Sequence, residues 1–295
     1  MTAGSQTLTR LPEWLRRSLP PASAVKTHNT LGKYNLNTVC ESALCPNRSE
    51  CYSRKTATFM ILGDVCTRSC GFCAIRAGKG LPVEADEPTR VAFAARDLGL
   101  RYVVVTSVAR DDLQDEGAGH FAQTIRALRC EIPNVQIEVL TPDFHARREL
   151  IQTVVDARPE VFNHNIETVH RLQKSVRPQA SMTRSLAVLR MIKELDPARV
   201  TKSGIMLGLG ETEAEVFEAA LALRSVQCDI LTIGQYLPPS REHLPLKKYI
   251  EPDYFKQLAD QIRPMGFKEV FAGPYVRSSY HAGEVFDAAS MEAVS

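Results

Sequence analysis

Short apolar runs alternate with amphipathic segments along most of this chain. Apolar or β-branched runs bounded by turn residues predict buried strands, whereas apolar positions that recur every three or four residues predict helices. Strands are predicted to begin at Ala57, Tyr102, Val135, Val161, Val200 and Asp229. Helices are predicted at residues 87–98, 118–128, 144–157, 181–195, 211–226 and 253–265.

This alternation predicts an α/β fold, because parallel strands need a crossover connection about as long as a helix. Six βα units predict a partial (β/α)6 TIM-like barrel at residues 57–265, with an N-terminal extension at 1–56 and a C-terminal extension at 266–295. Reactive groups in such a barrel lie at the carboxyl ends of the strands. The motifs that follow the strands therefore carry the most information about function.

The extensions show weaker patterns. Residues 1–10 are polar, Trp14 lies in a short amphipathic segment that is expected to pack on the body of the protein, and residues 23–37 have little periodicity. We therefore predict an extended arm at 23–37. A short extended run is predicted at 269–272, after the last helix.

Composition narrows the class of protein. A net charge of +2 over 295 residues does not indicate a strongly basic surface, so nucleic acid is not an expected partner. No apolar run approaches the roughly 18 residues that a membrane span needs. An N-terminal secretion signal is also absent from the pattern, so we expect no membrane association and a reducing, cytoplasmic location.

The first chemical motif follows the first predicted strand. Cys66, Cys70 and Cys73 have the spacing C-x3-C-x2-C, with Phe72 just before the last thiol. Thiolates are the ligands that iron-sulfur clusters select, and three of them leave one iron of a cubane open. A zinc knuckle is the alternative, but zinc commonly takes four ligands and this spacing provides three. The motif resembles the signature of the radical S-adenosylmethionine (radical SAM) superfamily, in which the open iron binds the methionine moiety.

A second cysteine triplet precedes the barrel. Cys40, Cys45 and Cys51 are spaced C-x4-C-x5-C, so one position of a second four-iron cluster again lacks a cysteine. The remaining cysteines, Cys130 and Cys228, stand alone in apolar segments and are expected to be small buried hydrophobic residues.

Polar residues after the later strands are candidates for cofactor binding. The hydroxyls of Thr106 and Ser107 and the side chains of Asn165 and Glu167 lie at predicted strand ends, and Arg177 offers a guanidinium for a carboxylate. Simpler interpretations stay open. Asp111 and Asp112 are equally suited to a helix N-cap, Arg177 to an exposed salt bridge, and His164 to a satisfied position in the core.

With the tail Arg277-Ser278-Ser279-Tyr280, both triplets together resemble the lipoyl synthase family closely, from Trp14 to about Gly283. The resemblance implies two [4Fe-4S] clusters and S-adenosylmethionine. The radical-generating cluster would be held by Cys66, Cys70 and Cys73, and an auxiliary cluster by Cys40, Cys45, Cys51 and Ser278. The cofactor contacts would include Phe72, Thr106, Ser107, Asn165, Glu167 and Arg177, and Arg277 and Ser278 would be catalytic.

The resemblance also implies an activity. The auxiliary cluster would supply two sulfur atoms to C6 and C8 of an octanoyl-lysine on a carrier domain, since unactivated methylene C–H bonds are beyond ordinary bases. Expected partners are octanoylated carrier domains (2-oxoacid dehydrogenase E2 subunits and the glycine cleavage H protein), a ferredoxin or flavodoxin, and an iron-sulfur carrier. Because serine oxygen is a harder ligand than thiolate, we expect the Ser278-bound iron to be the first lost.

Departures from the family pattern are few. Tyr52, Glu116 and Met182 stand where Trp, Gly and Tyr are common, and none is a predicted ligand. The nearest alternative is another sulfur-inserting radical enzyme such as biotin synthase, which differs before the first strand and at the tail. A non-catalytic zinc-binding module is the alternative from another class, but it would need complete four-ligand sets.

Overall fold

The computed structural model of the protein describes residues 11–16 and 23–291. The polar segment 1–10 lies outside the described residues. The helices are α1 (Ser23–Lys33), α2 (Val39–Ser42), α3 (Arg48–Ser53), α4 (Glu87–Leu98), α5 (Ala118–Glu131), α6 (Arg148–Asp156), α7 (Gln173–Val176), α8 (Met182–Leu195), α9 (Glu213–Ser225), α10 (Pro252–Ile262) and α11 (Ala282–Met291). The strands are β1 (Asn37–Thr38), β2 (Thr58–Ile61), β3 (Val65–Cys66), β4 (Arg76–Ala77), β5 (Tyr102–Ser107), β6 (Gln136–Leu140), β7 (Val161–Asn163), β8 (Val200–Leu207), β9 (Ile230–Gln235) and β10 (Glu269–Gly273).

Eight strands form one sheet in the order β1-β2-β5-β6-β7-β8-β9-β10. Every neighbouring pair from β2 to β10 is parallel, and β1 pairs with β2 antiparallel. The helices between these strands follow the βα pattern predicted from the sequence. The sheet is thus a partial barrel whose two edges, β1 and β10, are not hydrogen-bonded to each other.

The prediction of six barrel strands was too low. The extended run near 269–272 is β10, a seventh parallel strand that pairs with β9 along its whole length. Its five residues are too short to show a period by themselves. Pairing with β9 decides its structure.

The extended arm predicted at 23–37 is also wrong, because residues Ser23–Lys33 form helix α1. One face of α1 is buried through Ala24, Thr27 and Leu31, which lie three or four residues apart. The Thr27 hydroxyl donates a hydrogen bond to the carbonyl of Tyr52 at 2.7 Å. A buried threonine in the middle of the apolar face concealed the helical pattern.

The helix predicted at 144–157 is interrupted at its start. Phe144, His145 and Ala146 have φ values of 44°, 47° and 53°, a left-handed turn, and helix α6 begins at Arg148. The Asp143 carboxylate accepts a hydrogen bond from the His145 backbone N–H at 3.2 Å and so stabilises the turn. As a result the loop after β6 keeps Asp143 at the end of the barrel.

Helix α11 covers the end of the barrel where the strands begin. The ring of Phe286 lies 5.9 Å from that of Tyr102, the first residue of β5. Val285 and Ala289 pack in one apolar cluster with Ile230, the first residue of β9. The opposite end, where the strands finish, is left for the functional site.

Two further sequence predictions have different outcomes. Cys228 is fully buried, whereas Cys130 is exposed on α5 because it lies on the outer face of that helix. Trp14 is 39% exposed and precedes the buried Leu15 in a short 3-10 turn. No helix in the described part of the chain is long and apolar enough to cross a membrane.

Candidate metal and cofactor site

A cavity of about 500 Å³ lies at the carboxyl ends of the barrel strands. Every residue that the sequence predicted as a cluster ligand, cofactor contact or catalytic group lines it: Cys40, Cys45, Cys51, Cys66, Cys70, Phe72, Cys73, Thr106, Ser107, Asn165, Glu167, Arg177, Arg277 and Ser278. These residues come from residues 40–51, from three segments at the ends of β2, β5 and β7, and from the tail after β10. The fold therefore brings distant segments of the chain to a single chamber.

The loop that carries Cys66, Cys70 and Cys73 is fixed at several points. Cys66 lies in β3, which pairs with β4 and closes the loop at its base. The Gly71 N–H donates to the carbonyl of Val176 at 2.9 Å, and the Gly71 carbonyl accepts from the Leu244 N–H at 3.0 Å. Neighbouring segments thus hold the backbone between the thiols from two sides.

Arg68, inside this loop, was not identified from the sequence. Its guanidinium is buried and forms hydrogen bonds with both oxygens of Asp111 at 2.7 and 2.8 Å and with Asp143 at 2.8 Å. Although burial opposes ionisation, the hydrogen bonds from Arg68 hold the pKa of Asp143 well below its usual range. Asp111 is therefore an ion-pair partner that ties the cysteine loop to the βα loop after β5. It is not a helix N-cap.

His243 is a second residue that sequence reasoning missed. It lies in the segment 237–249, which crosses the cysteine loop. One ring nitrogen is 3.1 Å from the Cys73 carbonyl and the other is 2.9 Å from the Ser240 hydroxyl. Neither Arg68 nor His243 belongs to a hydrophobic period, and their partners lie more than 40 residues away in several cases, so only the fold reveals them.

All eight cysteines are free of disulfides. Burial raises the pKa of Cys40 to about 12, of Cys70 to about 11 and of Cys73 to about 12. Thiols in such surroundings bind protons until a cation replaces them, and metal ligation deprotonates a thiol outright. Free thiols that line one chamber of this size fit an iron-sulfur cluster better than a disulfide framework.

Several buried polar atoms of the cavity wall have no hydrogen-bond partner among the described residues. They are the Ser107 hydroxyl, the Thr141 hydroxyl and the side-chain oxygen of Asn165. Buried polar groups are nearly always paired, so unpaired ones that line a cavity indicate a polar ligand. The Thr106 hydroxyl differs, since it donates to the Leu140 carbonyl at 2.8 Å.

Asn165 connects the predicted cofactor contacts with the tail. Its amide donates to a Glu167 carboxylate oxygen at 3.1 Å and to the Ser278 hydroxyl at 2.6 Å. Burial raises the pKa of Glu167, so a cationic group beside that carboxylate would stabilise its charged form. Ser278 therefore lies beside residues of the barrel mouth, although 113 residues separate it from Asn165.

Arg177 is buried, so the exposed salt bridge considered from the sequence is wrong. One of its terminal nitrogens donates to the carbonyls of Asn165 and Ile166, each at 2.9 Å. Arg177 thereby positions the loop after β7. His164 is a satisfied core residue as expected, with one ring nitrogen 2.9 Å from the Thr141 carbonyl and the other 3.0 Å from the Ser185 hydroxyl.

Glycine at 234 lets the tail reach the cavity. A Cβ at this position would lie 2.0 Å from the carbonyl oxygen of Val276, a distance that no side chain tolerates. The tail backbone therefore passes directly over β9. This contact fixes where Arg277 and Ser278 can lie.

Residues 60–223 match the model of the radical SAM superfamily. The chain is 56% identical over 276 residues to lipoyl synthase 2 of Gloeobacter violaceus, an alignment that covers 93% of this chain and 96% of the relative. It is 54% identical over 273 residues to lipoyl synthase of Caldanaerobacter subterraneus, covering 92% and 96%. The chain belongs to the lipoyl synthase family.

Membership in this family makes the chain a radical SAM enzyme that inserts sulfur, with S-adenosylmethionine and two [4Fe-4S] clusters as its cofactors. Solved structures agree on the fold. The crystal structure of methylornithine synthase has a TM-score of 0.57 at 12% identity, covering 71% of this chain and 63% of that one. A maturase of the [FeFe]-hydrogenase has a TM-score of 0.54 at 13% identity, covering 90% and 71%. These distant likenesses support the barrel and nothing more specific.

Proposed function

We propose that the cavity at the barrel mouth is the site where sulfur is inserted into an octanoyl chain carried by a lysine of a lipoyl-carrier domain. The observation that supports this proposal is the meeting of two cysteine triplets and the Ser278 tail on one cavity wall. A single cluster would need only one triplet. Two clusters beside one chamber suit a reaction that both generates a radical and supplies sulfur.

The residues divide into two ligand sets. Cys66, Cys70 and Cys73 hold the cluster that binds S-adenosylmethionine, and Cys40, Cys45, Cys51 and Ser278 hold the auxiliary cluster. When bound, these groups supply a 5'-deoxyadenosyl radical and the sulfur atoms. On this assignment the chain comprises an N-terminal extension at 1–56, a barrel at 57–265 and a C-terminal extension at 266–295.

The protein's own residues bind and orient the cofactor. Ser107 and Asn165 offer unpaired buried oxygens for the methionine amino group, and Glu167 offers a carboxylate to the same cationic group. Thr106 supports the strand end through its bond to Leu140, and Phe72 lies beside the last thiol of its triplet.

Apolar side chains complete the chamber. Val39, Leu44, Met206 and Leu237 line it, and they provide a surface for an alkyl chain while excluding water from a reactive radical. Arg277 contacts the same wall and lies next to the proposed ligand Ser278. The carrier domains expected to present the octanoyl group are those of 2-oxoacid dehydrogenase E2 subunits and the glycine cleavage H protein. Electrons would come from a ferredoxin or flavodoxin, and cluster rebuilding from an iron-sulfur carrier.

Two triple variants test the division of roles under anaerobic conditions. With Cys66, Cys70 and Cys73 all changed to Ala, we expect neither 5'-deoxyadenosine nor thiolated octanoyl-lysyl peptide. With Cys40, Cys45 and Cys51 all changed to Ala, we expect 5'-deoxyadenosine to form while sulfur insertion is lost. Normal thiolation by the second variant would refute the proposed sulfur source. Zinc without sulfide in the reconstituted wild-type protein would instead favour the metal-binding module.

A further inference from the structure

Hydrogen bonds on both sides of Ser278 join the tail to the loop that carries Cys45 and Cys51. The Asn47 side-chain amide donates to the Tyr275 carbonyl at 2.6 Å, three residues before the serine. The Tyr280 hydroxyl donates to a Glu50 carboxylate oxygen at 2.8 Å, two residues after it. Asn47 and Glu50 belong to the five-residue spacer between Cys45 and Cys51.

We propose that Asn47 and Glu50 are positioning residues that clamp the tail so that Ser278 is held as the oxygen ligand of the auxiliary cluster. The inference rests on the proposed role of Ser278 under the function given above. It assigns the spacer residues a role that ligand spacing alone does not provide.

The hydrogen bond from Asn47 to the Tyr275 carbonyl is the first arm of the clamp, and burial of Asn47 strengthens it. Asn47 is 1% exposed, so its amide has little access to water as an alternative partner. Loss of this bond would remove one point at which the tail is held upstream of Ser278.

The hydrogen bond from Tyr280 to Glu50 is the second arm of the clamp, and neighbouring polar and charged groups reinforce it. One ring nitrogen of His281 is 3.3 Å from the same Glu50 carboxylate, and the Tyr280 and His281 rings are in edge contact at 4.2 Å. Arg54, at the end of α3, forms a salt bridge with Glu284 of α11 at 2.7 Å. Helix α3 and the start of α11 therefore stay together on the far side of Ser278.

The clamp would compensate for the low affinity of a serine oxygen for cluster iron. An alkoxide or hydroxyl oxygen is a poor match for cluster iron beside three thiolates, so intrinsic affinity alone would not keep it bound. Fixing the backbone on both sides raises the effective concentration of the serine oxygen at the open iron. The spacer thus contributes to binding without contacting the metal.

The test is made in the variant with Cys66, Cys70 and Cys73 changed to Ala, so that only the auxiliary cluster contributes to iron content and spectra. Ser278→Ala provides the reference for loss of the oxygen ligand. In that background we expect Glu50→Ala and Tyr280→Phe to release the fourth iron to a chelator roughly tenfold faster, as loss of one hydrogen bond to a charged acceptor implies. A three-iron cluster signal in electron paramagnetic resonance should appear with the release.

Conservative and matched variants separate positioning from general destabilisation. Glu50→Gln keeps an acceptor for Tyr280 and should restore slow release. Glu41→Ala is the control, because Glu41 is adjacent to Cys40 as Glu50 is adjacent to Cys51, yet it pairs with His28 at 2.7 Å and not with the tail. It should leave release unchanged. In a Ser278→Ala background, Tyr280→Phe should have no additional effect.

Each outcome decides the inference. If Ser278→Ala itself leaves iron content and spectrum unchanged, the proposed ligand is wrong and the clamp falls with it. If Ser278→Ala changes both while Glu50→Ala and Tyr280→Phe do not, the ligand assignment stands and the clamp alone is refuted. If Glu50→Ala fails to fold, Tyr280→Phe removes the same hydrogen bond from the other partner.

Discussion

A buried ion pair in the barrel interior supports a stability prediction that can be worked from distances. The Lys202 ammonium lies 3.0 Å from each oxygen of the Glu138 carboxylate. The same carboxylate accepts hydrogen bonds from the Tyr102 hydroxyl at 2.8 Å and the Asn163 amide at 2.9 Å. Lys202 is 1% exposed and Glu138 is fully buried. The pair links β6 and β8 inside the barrel.

We predict that Lys202→Met lowers the free energy of unfolding by about 4 kcal/mol, within the range of roughly 3–5 kcal/mol for breaking a buried pair. The methionine fills most of the lysine volume, so little of the loss arises from a cavity. What remains is a buried carboxylate with only neutral donors. The double variant Lys202→Met with Glu138→Gln should recover most of the loss, because the uncompensated charge is removed.

Urea unfolding of the reduced, iron-free chain, followed by circular dichroism, measures the difference without a contribution from cluster loss. The control is Arg96→Met, since Arg96 and Glu131 also lie 2.7 Å apart but on the surface, with 48% and 28% of their side chains exposed. We expect that variant to lose much less stability than Lys202→Met, because an exposed ion pair contributes little. A similarly small loss in Lys202→Met would refute the reasoning about the buried pair.

Three further predictions concern the cavity wall. Burial lowers the pKa of His164 from 6.5 to about 4. Between these two pH values the unfolded chain binds a proton that the folded chain does not. The free energy of unfolding should therefore fall by up to about 1.4 kcal/mol per pH unit as the pH drops from 6.5 to 4. His164→Gln should remove that part of the slope in urea titrations at several pH values, and an unchanged slope would contradict the pKa. Gly234→Ala should displace the tail, so that the auxiliary cluster loses iron and the iron content of the protein falls. Gly32→Ala is the control, because no atom lies within 4 Å of the new methyl group, and it should leave the iron content unchanged. Ser278→Cys should slow chelator removal of the fourth iron, because thiolate suits iron better than oxygen. Faster removal would argue against the ligand assignment.

Much of the barrel could be predicted because its strands are buried and its helices are amphipathic. The runs at β2 and β5 are apolar enough to be recognised without any knowledge of their neighbours. Helix α1 was missed, since Thr27 interrupts its apolar face and is satisfied only by a carbonyl 25 residues away. Strand β10 is too short to be assigned without β9. Local pattern fails where a distant partner decides the structure.

Some residues of the candidate site could likewise be predicted from the sequence, and others could not. The cysteines could be identified because thiol spacing is local and chemically specific. Arg68 and Asp143 could not, because 75 residues separate them and neither takes part in a sequence period. Asn47 and Glu50 stand inside a recognised motif, yet their partners belong to the tail. The spacing of the cysteines predicts the ligands, whereas the residues that position them can be identified only from the folded structure.

A single anaerobic turnover with an octanoyl-lysyl peptide, dithionite and S-adenosylmethionine tests the central claim most directly, with the mass of the peptide as readout. Reconstituted protein should contain about eight irons per chain, as two four-iron clusters require. The account predicts a peptide that has lost two hydrogens and gained two sulfurs, together with sulfide lost from the protein. Thiolated peptide formed while both clusters stay intact, or an unmodified peptide from protein that contains both clusters, would contradict it.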